Sequence, residues 1–235
     1  MIAHPKKFIG GLVALIAFFV VFVIIFMPWY GKDGDGKEQN GLNYLDNLYN
    51  TISKGSAYYI PKVKKESDSF VGQPVELTLA MKDARQADQT ALLFRASGGA
   101  EATVEGSTVK VKGGLGKILH NCLADSDDMF HNRGEKVAQK YGYPERLVLY
   151  TWHKALEAME KDLNKQKKFP EAKFAGTVKT KAVECSYNYY GVTPQNIGDK
   201  WGIVVFSLLF YVAYTLWYGY AIMYMFEGYG MQLEH

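Results

Sequence analysis

FIGGLVALIAFFVVFVIIFM, residues 8–27, and WGIVVFSLLFYVAYTLWYGYAIMYMF, residues 201–226, contain no Asp, Glu, Lys, Arg or His. Each reaches the ~20 residues that carry an α-helix across a hydrocarbon layer ~30 Å thick, where irregular backbone cannot satisfy its own hydrogen bonds. The expected fold is a membrane protein with two transmembrane α-helices flanking a mainly helical α+β extracytoplasmic domain. The segments are a cytoplasmic tail at 1–7, a first span at 8–28, the domain at 29–200, a second span at 201–226 and a second tail at 227–235.

Lys6 and Lys7 stand directly before the first run, as in a secretory signal. The run is longer than the ~7–15 residues of a signal core, and Met27-Pro28-Trp29-Tyr30 offers no small-residue cleavage site, so it reads as an uncleaved signal anchor. Lys32, Lys37 and Lys200 lie on the far side of the spans, but acidic neighbours count little in the positive-inside rule and long domains translocate largely regardless of charge. Both termini are therefore expected in the cytoplasm at the cell membrane, with the domain outside.

All but two of the 27 Lys and Arg and all but two of the 24 Asp and Glu fall between the spans. A domain so evenly mixed lacks the concentrated basic face that nucleic acid requires. The partners expected are the lipid bilayer and other membrane-protein subunits, or a second copy of the chain. Cys122 and Cys185 are the only cysteines, and in an oxidising compartment they are expected to pair as a disulfide. No CxxC or CxxCH motif and no cysteine pair at zinc-ligand spacing occurs, so no cofactor and no metal is expected.

Within the domain, the stretch Gly31 to Glu38 resembles a calcium loop in its Asp-x-Asp-Gly run, but Glu38 and Tyr44 occupy the positions where the loop template needs Gly and Glu, which leaves a polar linker. Leu42, Leu45, Leu48, Tyr49 and Ile52 predict an amphipathic helix ending at Gly55, and Ala57 to Pro61 an apolar patch whose tyrosines pack in the domain core or, as the alternative, sit at the lipid headgroup level. Val75, Leu77, Leu79 and Met81 alternate as a strand after Pro74. Asp83 and Gln86 form a capping box opening a helix to Ala96, and Ala102 and Val104 face Val109 and Val111 across Gly106-Ser107 as a hairpin. Leu115 to Phe130 carries one long apolar stripe, with Cys122 on its buried side. A short helix follows to Tyr141, and Pro144 opens a longer one. Residues 170–190 fit helix and strand templates alike, and Pro170 tips the reading to helix.

Groups able to carry chemistry are few. His120 and His131 share a helix face but lie ~16 Å apart along it, too far for one ion. His153 and Glu157 stand one turn apart, a spacing that suits a solvated pair as well as an acid–base pair. Gly-x-Ser-x-Gly and phosphate-cradling glycine patterns are absent. Gly113-Gly114-Leu115-Gly116 at a helix start reads as a hairpin-to-helix connection rather than an anion site. The second span is more unusual: Ser207, Tyr211, Tyr214, Thr215 and Tyr218 collect hydroxyls along one side, and Gly10, Gly11 and Ala14 give the first span a small-residue face. Together these eight residues are the expected helix-packing interface. The function expected is a non-catalytic accessory or assembly subunit of a membrane complex. The alternatives are an extracytoplasmic sensor or ligand-binding module, and a membrane-anchored enzyme using His153 and Glu157.

Overall fold

The computed structural model describes residues 2–33 and 36–231. The chain forms two compact units: one from the described parts of residues 1–55 and 194–235, the other from residues 56–193.

The first unit holds α1 (Pro5–Phe26), α2 (Gly41–Ser56) and the last helix, Ile197–Tyr229. α1 starts with a first-turn proline and ends at Met27, which the following Pro28 keeps extended. The last helix is capped by the Asn196 side chain, which accepts from the Gly198 N–H at 2.8 Å, and stops at Gly230 in the left-handed conformation. α1 begins three residues before the apolar run read from sequence and ends one residue short of it, while the last helix extends past its run at both ends. Each is long and apolar enough to cross a membrane. They run antiparallel, with the His4 N–H donating to the Gly228 carbonyl at 2.9 Å. Between α1 and α2, Lys32 and Glu38 form an isolated antiparallel bridge, and Gly34 and Asp35 of the linker lie outside the described residues.

The second unit runs α3 (Ile60–Ser67), a 3₁₀ turn (Asp68–Phe70), β1 (Pro74–Ala80), α4 (Ala84–Arg95), β2 (Ala100–Glu105), β3 (Thr108–Gly114), α5 (Leu115–Phe130), α6 (Gly134–Tyr141), α7 (Glu145–Lys165), α8 (Phe169–Val178), a π-helical segment (Lys179–Glu184) and α9 (Cys185–Tyr189). The last helix of the chain is therefore α10. The mainly helical α+β character expected of this region is present.

Local chemistry explains most boundaries. Asp83 caps α4 by accepting from the Gln86 N–H at 2.8 Å, while Gln86 reaches back to the Lys82 N–H at 2.9 Å, one residue before the expected return bond. Gly106 at φ 62° and Ser107 make the two-residue hairpin turn, with Val104 opposite Val109 and Ala102 opposite Val111. β3 is central in an antiparallel sheet of order β1-β3-β2. Both outer edges are covered by side chains. Arg95 donates through Nε and Nη2 to the Ala102 carbonyl on β2. On β1, Asp162 accepts from the Thr78 N–H and Gln166 donates to the Glu76 carbonyl. These side chains occupy part of the hydrogen-bonding capacity of each edge.

The buried face of the sheet, Val75, Leu77, Leu79, Val109 and Val111, packs with the helices around a core in which Trp152, Phe94, Leu119 and Leu156 are fully buried. Gly116 lets α5 meet the turn after Phe70: a Cβ there would stand 2.8 Å from the Val71 backbone. Residues 170–189 are helical, as Pro170 suggested, but with a π-helical segment in the middle. Pro144 caps α7 from just outside it rather than opening it.

Two expectations are corrected. Among the described residues there is no disulfide: Cys122 and Cys185 are not bridged to each other. Cys122 points into the α5 core, whereas the Cys185 thiol donates to the Ala57 carbonyl at 3.1 Å, so apolar placement of each did not mean placement against the other. Tyr58 and Tyr59 are not core residues either. Ala57 and Ile60 take the buried positions, and Tyr58 lays its ring on Phe130 while its hydroxyl donates to Asp127.

Candidate functional site

The α1–α10 seam is built in layers spaced by sevens. On α10 the buried residues are Ser207, Ala221 and Gly228, and Tyr214 falls on the same repeat. On α1 they are Gly11 and Phe18, with His4 and Ile25 one repeat to either side. A seven-residue spacing keeps one face of a helix turned to its neighbour. Three layers are joined directly. The His4 N–H bonds the Gly228 carbonyl. Gly11 lies on Ala221 and Met225, so close that a Cβ would stand 2.7 Å from the Met225 nitrogen. The Tyr214 hydroxyl donates to the Phe18 carbonyl at 3.2 Å, with the two rings stacked at 4.2 Å. Continuing the repeat sets Ile25 level with Ser207.

The eight expected interface residues divide accordingly. Gly11 and Tyr214 are in the seam, Ala14 accepts at its carbonyl from the Trp217 indole at 3.0 Å, and Tyr218 leans its ring on Phe18. Ser207 is buried, but its partner is the Tyr49 hydroxyl of α2 at 2.6 Å. Thr215 donates to the Tyr211 carbonyl of its own helix. Gly10 has no atom within 4 Å of where its Cβ would be, and Tyr211 is 69% exposed. Phe18, Trp217, Ala221, Met225 and Gly228 are seam residues the sequence reading missed. The heptad spacing of Ser207, Tyr214, Ala221 and Gly228 was the available signal.

In the second unit the histidines separate. His120 lies 3.1 Å from the Asp68 carboxylate, and His131 hydrogen-bonds through Nδ1 with the Asp127 carbonyl. His153 and Glu157 do not meet. Glu157 takes Lys161 and Lys154 as partners, whose hydrogen bonds hold its carboxyl down at about 2. A group that low is too weak a base for proton transfer near neutrality. His153 instead meets Glu184 through Nε2 at 2.9 Å, where the π-helical segment delivers that carboxylate. The pair lies in an open groove of about 470 Å³ walled by Tyr150 and Tyr187 and floored by Leu149 and Val183.

In the interior of the unit Asp125, 2% exposed, accepts from the Tyr141 hydroxyl, the Trp152 indole and the Lys140 ammonium. Cys122 is fully buried one turn away, and burial first, the Asp125 charge second, push its thiol well above the usual range, which makes it a poor nucleophile. Among the described residues no three His, Cys, Asp or Glu side chains converge as a metal site. No protein-family model, no curated protein and no solved structure matches the chain.

Proposed function

We propose that this chain is a non-catalytic integral membrane protein, an accessory or assembly subunit whose two spans pack beside the helices of other membrane proteins while its extracytoplasmic domain docks a partner. The observation that carries this reading is Tyr211. It stands 69% exposed on α10 beside Leu208, 58% exposed, one turn inside the layer where α1 ends. A phenol in hydrocarbon loses its hydrogen bond to water, and only another helix can return one there. Tyr214 already has its acceptor on α1, so the two tyrosines are separable. Tyr211→Phe removes only the free hydroxyl and should leave insertion and the α1–α10 hairpin intact while reducing co-purification of partner subunits in mild detergent. Unchanged co-purification would reduce α10 to an anchor.

A ligand-binding module is the second reading, favoured by the His153–Glu184 groove. His153→Ala should then weaken capture of a small molecule without changing co-purification.

A further inference from the structure

We propose that the corner joining α7 to α8, Lys165 to Phe169 with Lys173, docks an acidic polypeptide segment of a partner protein through its lysines and the Phe169 ring. This rests on reading the domain as the part of the chain that docks a partner, and it names the chemistry of that partner.

Charge is concentrated at this corner. Residues 164–173 carry four lysines and one acid, Glu171. Lys165, Lys167 and Lys173 are exposed and Lys168 is half-buried. Among the described residues none of the four is in an ion pair, whereas Lys161 and Lys179 nearby meet Glu157 and Glu160. The neighbouring acids are engaged elsewhere: Asp162 takes the Thr78 N–H and the Gln166 amide, and Glu76 meets Lys112 at 2.8 Å. Phe169 stands 59% exposed in the same stretch. An exposed ring flanked by unpaired cations suits an acidic segment that also presents an apolar side chain.

Local structure opposes two of these residues, which separates them from ordinary surface lysines. α7 ends in a Schellman motif: the Lys168 N–H donates to the Leu163 carbonyl at 2.9 Å and the Lys167 N–H to the Asn164 carbonyl at 3.0 Å. That motif puts Lys167 at φ 61°, the left-handed position that glycine fills at least cost. Lys168 is the N-cap of α8, makes no side-chain cap bond, and sets a cation at the positive end of that helix. The α7 dipole accounts for Lys165 in its last turn, but not for a cation capping α8. Consecutive residues that break the local rule point to a role outside the fold.

The corner is also accessible. Chain entry and exit share the other pole of the unit: Tyr58 and Tyr189 both pack on Phe130, and Arg146, the second residue of α7, donates to the Tyr190 carbonyl at 3.4 Å. From Arg146 to Lys165 the helix rises about 28 Å. A partner at the corner therefore meets neither connection to the rest of the chain.

The test uses the full chain in phosphatidylcholine nanodiscs and a fluorescent peptide alternating glutamate with leucine, read by anisotropy against empty nanodiscs. The proposal expects binding that falls about tenfold as salt rises through physiological ionic strength, and no binding of a lysine–leucine counterpart. Phe169→Ala should weaken binding about tenfold with the same salt dependence, and Lys167→Glu combined with Lys168→Glu should abolish it. Lys167→Gly should bind more weakly yet melt higher, which a loss of fold cannot produce. No binding of the acidic peptide, equal binding of the two peptides, or parent affinity in the double charge reversal overturns the proposal. So does capture of the nanodiscs by phosphatidylglycerol vesicles, removed by the double reversal, without peptide binding, which makes the corner a lipid site. None of these results bears on the Tyr211→Phe co-purification, so the accessory-subunit reading stands or falls separately.

Discussion

Asp125 is the most constrained residue of the domain: its carboxylate is nearly inaccessible and meets three donors from two helices. Asp125→Ala strands the Trp152 indole N–H and the Lys140 charge, and should cost about 3–5 kcal/mol in denaturant unfolding. The same cluster predicts an alkaline limit. Burial, then the neighbouring Asp125 charge, raise the Tyr141 phenol well above its ordinary value. An unfolded tyrosine ionises near ~10, so below that pH both states hold the proton and this group's contribution is complete. Above it the unfolded chain releases a proton that the folded one keeps, and stability falls by up to ~1.4 kcal/mol per pH unit. Tyr58 and Tyr143, both pushed up to about 12 and both mainly by burial, act with the same sign. Melting temperatures compared at about pH 9 and 11 should therefore drop for the parent protein and drop less for Tyr141→Phe. The thiols give a second residue-level test. Alkylation of native protein should modify the partly exposed Cys185 and spare Cys122, and denatured, unreduced protein should take up label at both. A denatured protein that takes up none would restore the disulfide.

At the scale of elements, the two neighbouring glycines of α1 separate packing from composition. A Cβ at Gly11 collides with backbone atoms of Met225 and Ala221, while one at Gly10 meets open space. Gly11→Ala should lower the melting temperature of the detergent-solubilised protein, by an overpacking cost of about 1–3 kcal/mol, and Gly10→Ala should not. Equal effects would deny the seam. The sequence alone could not separate this pair, because composition marks both as small and only the register against α10 distinguishes them. The same contrast runs through the domain. The alternation of β1, the Gly106-Ser107 turn, the Asp83–Gln86 cap and the α5 stripe are legible because each arises from residues within a turn or two of one another. The π-helical segment, the Glu184 partner of His153 and the three donors of Asp125 depend on side chains tens of residues apart, which periodicity does not encode. The disulfide failed for a related reason: an inward direction on two elements does not specify a shared point. On the candidate interface, the hydroxyl-rich side of α10 was visible, but its division into seam residues and the unpaired Tyr211 was not.

For the whole molecule the outstanding quantity is sidedness, and losing the disulfide changes how it is argued. A bridge would have required an oxidising compartment; its absence is compatible with either side. What remains is the antiparallel hairpin and the lysines. Lys7 pairs with Glu227 at 2.9 Å beside the His4–Gly228 bond, so the described parts of both chain ends leave the hairpin at one face. The chain leaves for residues 56–193 from the other. Topology thus reduces to one binary choice, and every marker must move with it. Lys6 and Lys7 next to the first apolar run favour the cytoplasm for the ends. Epitope tags at the N- and C-termini should then both be protected in right-side-out spheroplasts while added protease digests the domain between them. Opposite behaviour of the two tags would contradict the hairpin. Cleavage of both tags with a protected domain would keep the hairpin and invert the assignment, placing the domain in the cytoplasm.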